Sequence, residues 1–139
     1  MPYLIDANNL AGKLNLLDED NFDKKLIEII KEYIKQTDTR RCQGHHGQRK
    51  ITLVFEGTDS MGDKAADGSL IIIRAPRDDY YKNADVKIIE LINNAEKPEQ
   101  LVVISDDREI LEAARKAGCL IKKASYFAQI LEYNANIAN

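Results

Sequence analysis

The sequence predicts a three-layer α/β/α domain around a central, mainly parallel sheet. Two observations lead there. Its strand-length apolar runs, such as ITLVF at 51–55 and LVVIS at 101–105, carry almost no polar alternation, as expected of strands buried on both faces. Between these runs lie segments with apolar residues at helical spacing, and helices on both faces of a parallel sheet explain that order. An antiparallel sandwich would require more half-polar strands and fewer helices.

Residues 2–6 read as the first strand, short and apolar up to Asp6. A polar connection with Asp18, Glu19 and Asp20 follows. DNFDKKLIEIIKEYIKQT then sets Phe22, Leu26, Ile29, Ile30, Tyr33 and Ile34 on one helical side, with Asp20 or Asn21 as cap and Asp23 at the positive end. ITLVF is the second strand, and EGTDSMGDKAADG reads as a glycine-bearing loop. SLIIIR, 69–74, is the third strand, closed by Pro76. NADVKIIELINNA forms the second helix, with Val86, Ile89 and Ile92 on one side and Ile88 and Leu91 widening it. LVVIS is followed at once by the helix DDREILEAARKAG, which carries Ile110, Leu111, Ala114 and Ala117 and stops near Gly118. Cys119 to Ile121 give a last short strand, and SYFAQILEYNA a terminal helix with Ser125 as its cap.

The 139 residues suit one domain, with a basic loop around 39–50. Two cysteines, Cys42 and Cys119, are too few and too widely spaced for a disulfide framework or a four-ligand zinc site, which points to a reducing, cytoplasmic setting. No apolar run approaches the roughly 20 residues of a membrane span, and a secretion signal is not expected at the N-terminus. The formal charge is -3, yet TRRCQGHHGQRK, 39–50, holds Arg40, Arg41, Arg49 and Lys50 with no acid. This island is either a solvated loop or a polyanion contact; metal capture by His45 and His46 is a third, weaker reading.

Ligands of open α/β sheets sit outside the carboxyl ends of the strands. Asp6 ends the first strand, Glu56 follows the second, and Asp106 and Asp107 follow LVVIS, while Asp85 opens a helix. Each has a bland role available as turn former, cap or solvated acid. If they converge, their repulsion is relieved by a divalent cation, and an all-oxygen set suits Mg2+ or Mn2+. Such a site polarises a phosphoryl oxygen and ionises water, with room for a second ion about 4 Å away. Between the adjacent acids, Asp106 is the expected ligand because it is nearer the strand, with Asp107 as a direct or water-mediated second. Asn9 either orients Asp6, binds phosphate or bonds the next turn. Ser105 has no nucleophile elbow around it, and neither a phosphate-binding P-loop nor a dinucleotide fingerprint is present.

LIDANNLAG at 4–12, ITLVFEG at 51–57, NADVKIIELI at 83–92, LVVISDDREILEAARKAG at 101–118 and KKASYFAQIL at 122–131 together resemble the NYN-domain family, especially its YacP-like ribonucleases within the PIN-like nuclease superfamily. Ala7 stands where many relatives carry glycine, Glu56 where aspartate is usual, and YYKNAD replaces a Gly-Glu-Thr lead-in. The resemblance implies a PIN-like domain and a metal-dependent endoribonuclease hydrolysing RNA phosphodiesters. Asp6, Asn9, Glu56, Asp85 and Asp106 match its site positions, with Asp107 and Arg108 flanking. It implies RNA as partner, ribosome-associated RNA included. Arg40, Arg41, Arg49, Lys50, Lys122 and Lys123 are the candidate phosphate contacts, and Tyr80 or Tyr81 candidates to stack on a base. The competing functions are a non-catalytic RNA- or protein-binding module and a metal-dependent phosphatase. The latter would lack the Asp-x-Asp of a phosphoaspartyl enzyme, since Asp6 is followed by Ala7 and Asn8.

Overall fold

A computed structural model describes residues 2–40, 50–57, 61–77 and 84–138. Six strands form one sheet: β1 (Tyr3–Asp6), β2 (Ile51–Phe55), β3 (Asp63–Asp67), β4 (Leu70–Arg74), β5 (Val102–Ile104) and β6 (Leu120–Lys122). Five helices accompany them: α1 (Ala7–Lys13), α2 (Phe22–Arg40), α3 (Ala84–Asn93), α4 (Arg108–Ala117) and α5 (Ala124–Ala138). Strand order is β3-β4-β2-β1-β5-β6, with every pairing parallel except β3 with β4. The expected three-layer α/β/α architecture is therefore present, with a mixed, mainly parallel sheet.

Alternation along the strands divides the core between the two faces. Tyr3 and Ile5 join Leu53, Phe55 and Ile104 in packing under Leu10 of α1, Leu26 and Ile30 of α2, and Phe127 and Leu131 of α5. Tyr33 and Tyr3 meet the Phe127 ring edge-on at 5.3 and 6.0 Å between centroids. Leu4, Val54, Ile73 and Val103 take the other face, under Ala84, Ile88 and Ile92 of α3 and Ile110 and Ala114 of α4. The α3 stripe thus runs through Ala84, Ile88 and Ile92, with Ile89 and Leu91 at its margins.

Three local expectations need correction. The connection after the first strand starts with a helix, α1, because Asp6 accepts the Asn9 N–H and frees Ala7, Leu10 and Ala11 to pack on the sheet. The glycine-bearing loop contains β3, a strand exposed along its whole length. Its DKAAD sequence has neither alternation nor β-branched residues, so only backbone pairing to β4 defines it. Ser125 lies in the first turn of α5 rather than at its cap, and its N–H is held by Asp106.

Two glycines have a geometric reason. A Cβ at Gly57 would stand 1.8 Å from the Ala75 carbonyl oxygen, where the exits of β2 and β4 close together. Gly118 ends α4 at φ 88°, the left-handed cap expected there.

Candidate active site at the carboxyl edge

The chain runs from β1 outward to β2 and β4, then returns to β5 on the other side of β1. The sheet therefore switches direction between β1 and β5, and the crevice above those two carboxyl ends is the natural ligand position. Asp6 ends β1, and Ser105, Asp106 and Asp107 follow β5. Alternation decides where each points. Asp6 continues the face of Leu4, and Ser105 and Asp107 continue that of Val103; both belong to the α3/α4 side. Glu56 follows Val54 in the same way. Asp106 has the opposite parity and turns toward α1 and α5.

On the α3/α4 side the acids act on one another. Asp6 is 5% exposed, and burial pushes its carboxyl up to about 6, against the hydrogen bonds from Ser105 and Asn9 and with added repulsion from Asp107 and Glu56. Burial likewise raises Asp85 to about 6, reinforced by the charges of Asp107 and Asp6 and by a hydrogen bond with Asp107. Ser105 ties the set together: its hydroxyl donates to Asp6 Oδ2 at 3.0 Å and accepts the Asp107 N–H at 2.9 Å. Asp107 also caps α4, with Oδ1 accepting from Glu109 and Ile110 at 2.9 and 3.2 Å. Beyond burial, mutual repulsion that raises the pKa of Asp6 and Asp85 is what an all-oxygen cation site looks like before charge neutralisation. Among the described residues no three His, Cys, Asp or Glu side chains already stand at ligand spacing. In donor type, not in present spacing, the all-oxygen set of Asp6, Asp85 and Asp107 suits a hard divalent cation, and Glu56 is exposed.

On the α1/α5 side Asp106 has other partners. Its Oδ1 accepts from the Ser125 N–H at 3.2 Å and hydroxyl at 3.4 Å, and its Oδ2 pairs with Lys13 Nζ at 3.3 Å. Burial would raise this carboxyl, but the Ser125 N–H, Lys13 and the Ser125 hydroxyl together hold it below the ordinary value.

Two adjacent amides of α1 fix the strand exits. Asn9 Oδ1 accepts the Asp106 N–H at 2.9 Å, and Asn8 Oδ1 accepts the Glu56 N–H at 3.0 Å. Asn9 therefore holds the β5 exit with its side chain and Asp6 with its backbone. Asn8 was not singled out by the sequence; an amide two residues after a strand-end acid was the available signal.

The expected cations separate. Lys122 Nζ bonds the Tyr3 hydroxyl at 3.2 Å and lies 5.3 Å from that ring's centroid, so it is committed to the fold. Lys123 is exposed just before α5. Lys50 is exposed and its carbonyl accepts the Tyr3 N–H, which puts it at the amino end of the sheet. The five residues of β2 separate Lys50 from Glu56, and six rises of the extended chain span roughly 20 Å. Arg41, Arg49, His45, His46, Tyr80 and Tyr81 lie outside the described residues, as does the side chain of Arg40.

No protein-family model matches the chain. No curated protein matches it either. Among solved structures it is similar to the crystal structure of Rae1 (YacP) from Bacillus subtilis, with a TM-score of 0.62 and 19% identity over 99% of this chain and 79% of that one. A single-substitution mutant of the same protein matches with a TM-score of 0.62 and 21% identity over 96% of this chain and 75% of the other. At that identity the likeness establishes the shared fold.

Proposed function

We propose that this chain is a divalent-cation-dependent endoribonuclease of the YacP-like, NYN-domain kind within the PIN-like superfamily. One observation carries the reading. Acids from the β1 exit, the α3 start and the β5 exit meet on one face, where Asp6 and Asp85 hold their protons up to about 6. The sequence motifs and the fold likeness support it independently, because both lead to YacP.

In this reading Asp6, Asp85 and Asp107 hold Mg2+ or Mn2+, and Glu56 completes the rim. The ion, when bound, supplies charge stabilisation to the phosphoryl oxygens and lowers the pKa of water. The chain's own groups do the rest. Ser105 fixes Asp6 and Asp107 relative to each other through its hydroxyl. The attacking water gives up its proton to solvent, since the carboxylates that would hold the ion are not free to take it. Hydrolysis then joins the water oxygen to phosphorus and breaks the bond to the departing ribose oxygen, which takes up a proton. No protein nucleophile is needed; the Ser105 hydroxyl is already spent on Asp6. Asp106 and Asn9 act as positioning residues. Lys50, with Arg40, Arg41 and Arg49, contacts phosphates of RNA long enough to reach past the sheet, and Lys123 serves closer in. An RNA substrate and a free Cys119 suit a cytoplasmic location.

A time course on structured and unstructured RNAs with Mg2+ or Mn2+, beside a small phosphomonoester, tests the reading. RNA should be cut internally by the parent protein, while a folded Asp6→Asn, Asp85→Asn double variant should be inactive. Equal cleavage by the two proteins defeats the proposal. Turnover of the phosphomonoester alone would make it a phosphatase, and metal-independent RNA binding without cleavage would make it a binding module.

A further inference from the structure

A cation meeting the phosphate beside the cleaved bond must lie near the acids, and Lys50, the described end of the basic island, lies roughly 20 Å from them. We infer that Lys13 is that cation, an RNA-phosphate contact held ready at the β5 exit by Asp106. Asn9 and Lys13 stand one turn apart on α1 and so share a face. That face grips residue 106 twice: Asn9 Oδ1 takes its N–H at 2.9 Å, and Lys13 Nζ sits 3.3 Å from its Oδ2. The next residue, Asp107, belongs to the acid set, about 4 Å further along the chain. Lys13 thus stands beside the proposed reaction centre, across the β5 exit from it.

Its side chain is 43% exposed against 20% for Asp106, so the ammonium faces water while its partner is tucked beneath. An exposed pair of this kind is worth at most about 1 kcal/mol. A phosphodiester can therefore draw the ammonium away, and Asp106 still keeps both bonds from Ser125. In the absence of RNA, Asp106 holds the flexible four-carbon stem at the β5 exit, which lowers the entropy cost of capturing a phosphate.

The inference rests on the ribonuclease reading for its substrate. Its test is equilibrium binding of a short single-stranded RNA across a salt series, in Mg2+, on the cleavage-deficient Asp6→Asn protein. Adding Lys13→Gln should weaken binding about three- to tenfold at low salt and reduce the slope of log K against log salt by about 0.7. Lys13→Arg should restore both. Asp106→Asn frees the lysine, so it should bind at least as tightly as the parent. An unchanged slope with Lys13→Gln, or equal weakening by Lys13→Gln and Asp106→Asn, overturns the inference and leaves a structural clamp. Failure of the Asp6→Asn protein and of the wild type to bind RNA at all overturns the ribonuclease reading, and this inference with it.

Discussion

Asp106 and Asp107 are neighbours in sequence and have opposite electrostatic lives. Asp107 faces the α3/α4 side, where it repels Asp6 and shares a hydrogen bond with Asp85. Asp106 faces α1 and α5, where Ser125 and Lys13 lower its pKa. On one side of the sheet carboxyls repel one another, and on the other a carboxylate is paired with a lysine. The difference teaches that at a strand exit the direction of a side chain matters more than its distance from the strand. Mutual repulsion of carboxyls is costly to fold and is therefore the better marker of a cation site.

Activity gives the largest test of this contrast. Asp6→Asn or Asp85→Asn should lower metal-supported RNA cleavage about 100- to 1,000-fold, the loss of a few kcal/mol of charge stabilisation. Asp106→Asn should cost about tenfold or less, as an outer-layer positioning residue does. Rates from initial cleavage velocities decide the matter; an Asp106 variant as inactive as the Asp6 variant would erase the distinction between the faces.

Stability should move in opposite directions on the two sides. At pH 7 without divalent ions, Asp6→Asn should stabilise the fold by about 1–3 kcal/mol, because ionising a carboxyl held near 6 rather than 3.8 opposes folding. Asp106→Asn should destabilise by about 1 kcal/mol through weakened charged hydrogen bonds. The pH dependence follows the same signs. For Asp6 and Asp85 the folded chain binds protons more tightly, so their contribution is complete below 3.8 and fades as pH rises through about 6. Asp106 contributes above its unfolded value, and that contribution is lost as pH falls through its lower folded value. Urea unfolding of the apo protein between about pH 3.5 and 7 should show the Asp6→Asn curve flattened from about 4 to 6.

The α1 amides refine the comparison. Asn9→Ala leaves the half-buried Asp106 N–H without its side-chain partner and should cost about 1–2 kcal/mol. Asn8→Ala exposes the Glu56 N–H to water and should cost about half as much or less. Urea midpoints rank the two, and the reverse order would mean that the β2 exit is the more constrained. The smallest effect belongs to the far end of the sheet. Lys50→Gln should change cleavage less than about twofold for RNA too short to span the roughly 20 Å length of the β2 region, with a larger effect confined to longer RNA at low salt.

Much of this architecture was readable in the residues. LIIIR and LVVIS announced buried parallel strands, and the strand-end positions of Asp6 and Glu56 located the carboxyl edge. Helix α1 escaped because its start depends on a cap by Asp6, a residue that reads equally well as a strand end. Strand β3 escaped because DKAAD has no pattern beyond its pairing with β4. The ranking of Asp106 over Asp107 followed proximity. Counting by twos from Val103 through Ser105 gives a second ordering, with Asp107 on the side of Leu4 and Asp6. Lys13 was out of reach, since its pairing joins α1 to the β5 exit across 93 positions of chain.

Asn8 and Asn9 also set the aperture of the crevice. Consecutive helical residues diverge by about 100°, so one short helix reaches left to the β2 exit and right to the β5 exit at once. It works as a keystone between two uprights. Neither rim can spread without pulling on the same two-turn helix, whose Asn9 N–H is anchored on Asp6. A disturbance at one lip of the opening is thereby transmitted to the opposite lip and to the acid between them.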